Sequence, residues 1–289
     1  MDVIFVHGAL VRDGQWWWRH AASLLRERTG IQSRSLALPS CGETSPDEVA
    51  GGLVADAAAL RRQLDAVDSA IVVGHSYGGT VIAEAGSHPA VAHLLYVSSY
   101  LPDTGQAQGA IMSGESDPVS IGDNGDGTLS LSGYDSVSFG ARFLQDADDE
   151  AQRQAWGRVT AQAAAAFTTP TSAAGWQGVD SRYVVCGEDR STSVGLQRMH
   201  AARAIRSVEL PTGHHPFISR PDLVVEQVEA LLHVGVALAS CESAQVERGR
   251  AGTTDVGDLR EQRRHRCRLL DADLRDVVEA RHDHRTRQG

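Results

Sequence analysis

Ala70-Ile71-Val72-Val73-Gly74-His75-Ser76-Tyr77-Gly78-Gly79 is the stretch on which the fold turns. Ile71 to Val73 is a short β-branched run, the signature of a buried strand. Thr80-Val81-Ile82-Ala83-Glu84-Ala85 follows as the start of a helix. Between them lies Gly74-His75-Ser76-Tyr77-Gly78, a G-x-S-x-G pentapeptide. Such a pentapeptide gains meaning only from a strand on one side and a helix on the other, because the turn must lift the serine hydroxyl above the helix N-terminus. The turn is tight enough to force the serine backbone into a strained region, and Gly74 and Gly78 leave room for strand and helix to approach.

Upstream, Val3 to Val6 reads as a strand that ends in His7-Gly8-Ala9. In the strand–turn–helix context above, the loop after such a strand donates one backbone N–H to an oxyanion hole. The residue after the serine donates the other. Ala9 and Tyr77 are therefore the candidates. Gln15 to Arg28 reads as a helix. The three tryptophans at its start, Trp16 to Trp18, point three ways, so one or two belong in the core and one is free to face a pocket. Ser35 to Pro39 reads as a second strand. Asp47 to Ala66 reads as a helix with Val49, Leu53, Ala57, Leu60 and Leu64 on one face.

Downstream, Leu94 to Val97 is a strand running into Ser98-Ser99-Tyr100-Leu101-Pro102-Asp103. Thr104 to Tyr134 is rich in Gly, Ser and Asp without a clear period, and Asp135 to Phe167 is helical in character. Residues 104–175 are read as an inserted cap. The pattern then resumes with a strand over Arg182–Gly187, a helix over Ser193–Ala204, a short strand over Ser207–Leu210 and an amphipathic helix over Arg220–Ala239. Strands alternating with helices imply an α/β fold, a mostly parallel sheet with helices on both faces. Residues 1–103 and 176–239 form its core. Residues 240–289 carry 11 Arg and 10 acidic residues and no aromatic, the composition of a disordered or loosely helical tail.

The formal net charge of −10 gives no electrostatic case for binding nucleic acid or an anionic membrane. All 27 basic residues are Arg, which removes Schiff-base chemistry and lysine general bases. The N-terminus lacks a basic n-region and a long apolar run. The four cysteines, Cys41, Cys186, Cys241 and Cys267, form no C-x-x-C pair. A cytoplasmic protein with free thiols is expected, with no cofactor and no metal.

Three matched residues follow predicted strands, in the order Ser76, Asp189, His214. A serine hydroxyl is a poor nucleophile near neutral pH and needs a base. A histidine can take its proton and return it to the leaving group, and a carboxylate can hold the imidazole tautomer. On residue type alone His215 competes with His214, and Glu188 and Asp103 compete with Asp189. Asp103 reads as a turn residue and His75 as a structural one.

His7-Gly8-Ala9, Gly74 to Gly79, Ser99 to Asp103, Glu188-Asp189-Arg190 and His214-His215-Pro216-Phe217 together resemble the α/β-hydrolase superfamily. Leu101-Pro102-Asp103 and the compact length resemble its branch of plant methyl esterases, hydroxynitrile lyases and related bacterial esterases. The resemblance spans about residues 3 to 235. It implies an α/β-hydrolase fold with a cap, and aligns Asp189 as the acid and His214 as the histidine. The lyases of that branch carry a pocket lysine, and this chain has none. The expected activity is hydrolysis of a small carboxylic ester or lactone through an acyl-enzyme. The alternatives are a lyase using the same triad and a non-catalytic ligand-binding protein.

Overall fold

The computed structural model describes residues 1–43 and 51–232. The tail after 240, the start of the expected 47–66 helix and the end of the 220–239 helix lie outside the described residues. Six strands form one parallel sheet in the order β2-β1-β3-β4-β8-β9. They are β1 (Asp2–Val6), β2 (Ser33–Ser35), β3 (Ala70–His75), β4 (Val91–Val97), β8 (Asp180–Cys186) and β9 (Arg206–Leu210).

Alternation along the strands feeds two cores. Ile4, Val6, Val72, Leu94 and Tyr96 pack on one face with Leu53, Leu60 and Leu64 of α2 (Gly52–Leu64) and Val81 and Ile82 of α3 (Tyr77–Ala85). Val3, Phe5, Ile71, Val73, Leu95 and Val97 pack on the other with Trp17, Trp18 and Leu25 of α1 (Gly14–Thr29). Val224, Val225 and Val228, from a helix described over 221–232, complete that face. A strand apolar on both faces is stable only when both faces are covered.

Three expectations shift. The second strand is Ser33–Ser35 rather than Ser35–Pro39. Only the Leu36 N–H, bonded to Phe5 O, continues its pairing before Pro39 opens a 3₁₀ turn over Pro39–Cys41. None of the three tryptophans faces the cavity described below. Trp17 stacks on His215, Trp18 lies between Phe5 and Phe217, and the half-buried Trp16 is flanked by the guanidinium groups of Arg19 and Arg158. The stretch 104–134, without period in sequence, holds α4 (Gln108–Met112) and an antiparallel hairpin of β5 (Ile121–Asp123) and β6 (Thr128–Leu131).

The helical stretch 135–167 breaks into α5 (Ser136–Phe143), α6 (Asp149–Trp156) and, after β7 (Gln162–Ala163), the start of α7 (Ala165–Thr168). β7 pairs with β6 to close a small second sheet. Between β8 and β9 lies α8 (Val194–Ala201), and α9 (Pro216–Ser219) follows the His214 loop. No helix among the described residues is long and apolar enough to cross a membrane.

Candidate active site

The chain leaves β1 toward β2 on one side and later enters β3 on the other. The crevice above the C-terminal ends of β1 and β3 is thus the switch point of the sheet, where ligands bind in open α/β folds. Ser76 sits there, between β3 and α3, with φ 51° and ψ −121°. A non-glycine residue so placed costs on the order of 1–3 kcal/mol and persists only if its surroundings enforce it. The Ser76 carbonyl accepts from Gly79 N (3.0 Å) and Ser99 Oγ (2.7 Å). A Cβ at Gly74 would lie 2.7 Å from Gly78 O, and one at Gly78 would lie 2.5 Å from Val6 O. Both glycines are required by close approach.

His214 and Asp189 come together. His214 Nδ1 donates to Asp189 Oδ2 at 2.8 Å, with both side chains buried. Asp189 Oδ1 accepts the backbone N–H groups of Ser191 (2.7 Å) and Thr192 (3.1 Å). Its Oδ2 also accepts Gln197 Nε2 (2.9 Å) and the Ser98 hydroxyl. Ser98 Oγ lies 3.0 Å from His214 Nδ1 as well, and Ser98 itself has φ 43°. Ser98 and Gln197 carry no sequence signal as parts of this cluster. One follows β4 (Val91–Val97) directly and the other lies eight residues beyond Asp189 on α8.

The competing residues go elsewhere. Glu188 is exposed. Asp103 pairs with Arg203 at 2.6 Å and accepts Gln177 Nε2. His215 Nδ1 donates to Phe143 O at 2.8 Å. His75 Nε2 donates to the His214 carbonyl at 2.9 Å, which ties the elbow to the histidine loop. Burial, reinforced by the neighbouring histidines, pushes the pKa of His75 well below its ordinary value, and burial then His214 does the same to His215.

Ser76, His214, His75, His215, Gly8 and Ala9 line one cavity. Val11, Met112, Val119, Ile121, Leu131, Phe139, Phe143 and Phe167 give it an apolar wall, and Tyr100, Gln108 and Ser191 supply polar groups. Among the described residues no Asp, Glu or Arg lines it. Arg190 is exposed and donates to Ala141 O.

The oxyanion candidates flank Ser76. Ala9 lies in the cavity wall, and Tyr77 is the first residue of α3, where backbone N–H groups lack intrahelical partners. Behind Ala9, His7 Nε2 donates to Glu43 at 2.7 Å, and Glu43 also accepts from Asp13 N and Leu38 N. Burial alone would raise the Glu43 pKa; the hydrogen bonds from His7, Leu38 and Asp13 overcome it and hold the carboxyl below its ordinary value.

His75, His214 and His215 are also the one three-residue group with metal-ligand chemistry among the described residues. Their ligand atoms spread to 4.8 Å, wider than the roughly 3.3 Å that tetrahedral zinc with ~2.0 Å Zn–N bonds demands. The cluster is read as packed imidazoles.

A family model described as alpha/beta hydrolase family matches residues 3–227. Among curated proteins, "Probable hydrolase R7" of Phoma sp. is 23% identical over 219 residues, covering 70% of this chain and 88% of that protein. Among solved structures, a pyrethroid hydrolase from Sphingobium faniae JZ-2 aligns with TM-score 0.67 at 21% identity, over 80% of this chain and 96% of that one. The methylesterase MES16 from Arabidopsis aligns with TM-score 0.65 at 16% identity, over 81% and 99%. At these identities the solved structures speak for the fold. With the matched model spanning the sheet, the elbow and the histidine loop, the chain belongs to the alpha/beta hydrolase family.

Proposed function

We propose that this hydrolase cleaves small, neutral carboxylic esters or lactones through a serine acyl-enzyme. The observation that carries the reading is the buried Asp189–His214 pair sharing a cavity with the strained Ser76. In this mechanism Ser76 Oγ attacks the carbonyl carbon and His214 Nε2 takes its proton. The carbonyl oxygen becomes an oxyanion held by the N–H groups of Ala9 and Tyr77. The C–O bond to the alcohol breaks and His214 returns the proton to it. Water then attacks the acyl-enzyme with His214 again as base. Asp189 keeps the Nδ1–H tautomer and stabilises the imidazolium.

The apolar wall favours an uncharged acyl or aryl group, since an ionised one would be desolvated with no counter-ion. The chain has no Lys and, among the described residues, no Arg lines the cavity, which speaks against the lyase alternative, whose departing anion needs a nearby cation. The test is a panel of short aryl and alkyl esters with a mandelonitrile control. Wild type should hydrolyse neutral esters, prefer them over esters bearing a second carboxylate, and release no cyanide above background. Ser76→Ala should lose the turnover. Cyanide release without ester turnover would reverse the reading, and saturable binding without any turnover would support the binding-protein alternative.

A further inference from the structure

Gln162 stands apart from the groups above: a fully buried amide on β7, in the segment that packs over the oxyanion loop. Its Oε1 accepts Leu10 N–H at 2.8 Å, and its Nε2 donates to Ser40 Oγ at 2.9 Å. Ser40 Oγ donates to Asp56 Oδ2 at 2.6 Å, and Ser40 N donates to Asp56 Oδ1 at 2.9 Å. The Tyr77 hydroxyl donates to the same Asp56 Oδ2 at 2.6 Å. All four side chains are fully buried.

The two ends of this chain of bonds are the two sides of the oxyanion hole. Leu10 follows Ala9 and is held at φ 59°, a left-handed conformation costing a leucine roughly 1–2 kcal/mol. Thr160 N donates to Leu10 O at 2.9 Å, so the segment that carries Gln162 grips both polar groups of that residue. At the other end, the Asp56 bond and a stack on Phe167 (6.1 Å) fix the Tyr77 side chain and with it the first peptide of α3.

We infer that Gln162, Ser40 and Asp56 are positioning residues that set the two oxyanion donors, Ala9 N–H and Tyr77 N–H, relative to each other. The inference rests on the serine-hydrolase reading above. Its physical basis is preorganisation: donors aimed at a developing charge act only if they need not reorient, and a misplacement of about 1 Å can cost about 10²-fold. Burial, reinforced by Asp56, raises the Tyr77 phenol well above its ordinary pKa, so it remains the donor throughout the working range. Through the Gln162 amide and the Thr160 N–H, the segment after β6 thus holds the loop that carries Ala9.

The test uses the full chain, its best ester substrate, and two matched ketones. A trifluoromethyl ketone forms a hemiketal with Ser76 and places an oxyanion in the hole; the methyl ketone of the same shape does not. Gln162→Leu should lower kcat about 10- to 100-fold and weaken trifluoromethyl ketone inhibition by the same factor. KM and methyl ketone inhibition should stay within about twofold, since ground-state binding does not use the hole. Should Gln162→Leu fail to fold, Tyr77→Phe breaks the other end by one hydroxyl and should show the same split. Where both fold, the double variant should lose less than the product of the two single losses, because both break one chain. Unchanged kcat and trifluoromethyl ketone affinity in a folded variant overturns the inference, as does a fully multiplicative double loss. Wild type that neither turns over esters nor takes the trifluoromethyl ketone fails the hydrolase reading itself, a different result.

Discussion

A histidine serves as a base toward serine only when its far nitrogen keeps the proton. Here His214 Nδ1–H donates a hydrogen bond to Asp189 Oδ2, and Asp189 is in turn held by two backbone N–H groups and the Gln197 amide. Replacing Asp189 with Asn presents an amide where a carboxylate should accept, and selects the wrong tautomer. Turnover of Asp189→Asn should fall about 10³- to 10⁴-fold, with Glu188→Gln and Asp103→Asn within about twofold of wild type; steady-state kinetics on one aryl ester checks all three. The reverse ranking would contradict the placement of the acid. Ser76 stood out through its pentapeptide together with the strand before it and the helix after it, whereas chain order and residue type left His215, Glu188 and Asp103 open beside His214 and Asp189, and only the family resemblance favoured the pair that the structure brings together. Ser98, Gln197 and Gln162 were not legible, because a neutral side chain that completes a buried network has no periodicity and no fixed spacing from its partners.

Among the elements, strands were more legible than their surroundings. β3 is buried along its whole length and begins with the apolar run Ala70 to Val73, so it stood out in the sequence, whereas β2 carries only half-buried and exposed residues and was placed two residues late. The β5–β6 hairpin was missed although Asp123-Asn124-Gly125-Asp126-Gly127 is a turn sequence, with Gly125 and Gly127 at positive φ. Its flanking strands are only three and four residues long, too short for alternation to register. Helix α8 contributes a stability term of its own. It buries His200 near Tyr100 and Tyr183, and burial, then the charge of Arg203, lowers the His200 pKa to about 4. Between that value and the unfolded value of about 6.5, the unfolded chain binds the proton and the folded chain does not, so stability is lost as pH falls. The loss from this residue alone reaches about 2 kcal/mol at pH 5. Denaturant unfolding of His200→Leu should therefore lose less stability between pH 7.5 and pH 5 than wild type. An equal or larger loss would contradict it. His75 and His215, also lowered by burial, keep a residual acid sensitivity in the variant.

At the scale of the molecule, the parallel sheet and its two cores follow from β-branched and apolar strands separated by helices, which is why the architecture was legible at all. The cavity was less so. Its wall is assembled from Val11, Met112, Ile121, Leu131, Phe139 and Phe167, apolar residues scattered over some 160 positions, and no local pattern marks them as neighbours. On the proposed reading, substrate preference belongs to that wall and the chemistry to the strand ends beneath it. If the strained serine at the switch point is a covalent nucleophile, a fluorophosphonate probe will phosphonylate it. Intact-mass and peptide-mapping analysis should find one adduct per chain, on Ser76, formed more slowly in Asp189→Asn and absent from Ser76→Ala. A folded wild-type protein that never takes the label, or a Ser76→Ala protein that takes it equally well, would rule out Ser76 as the nucleophile.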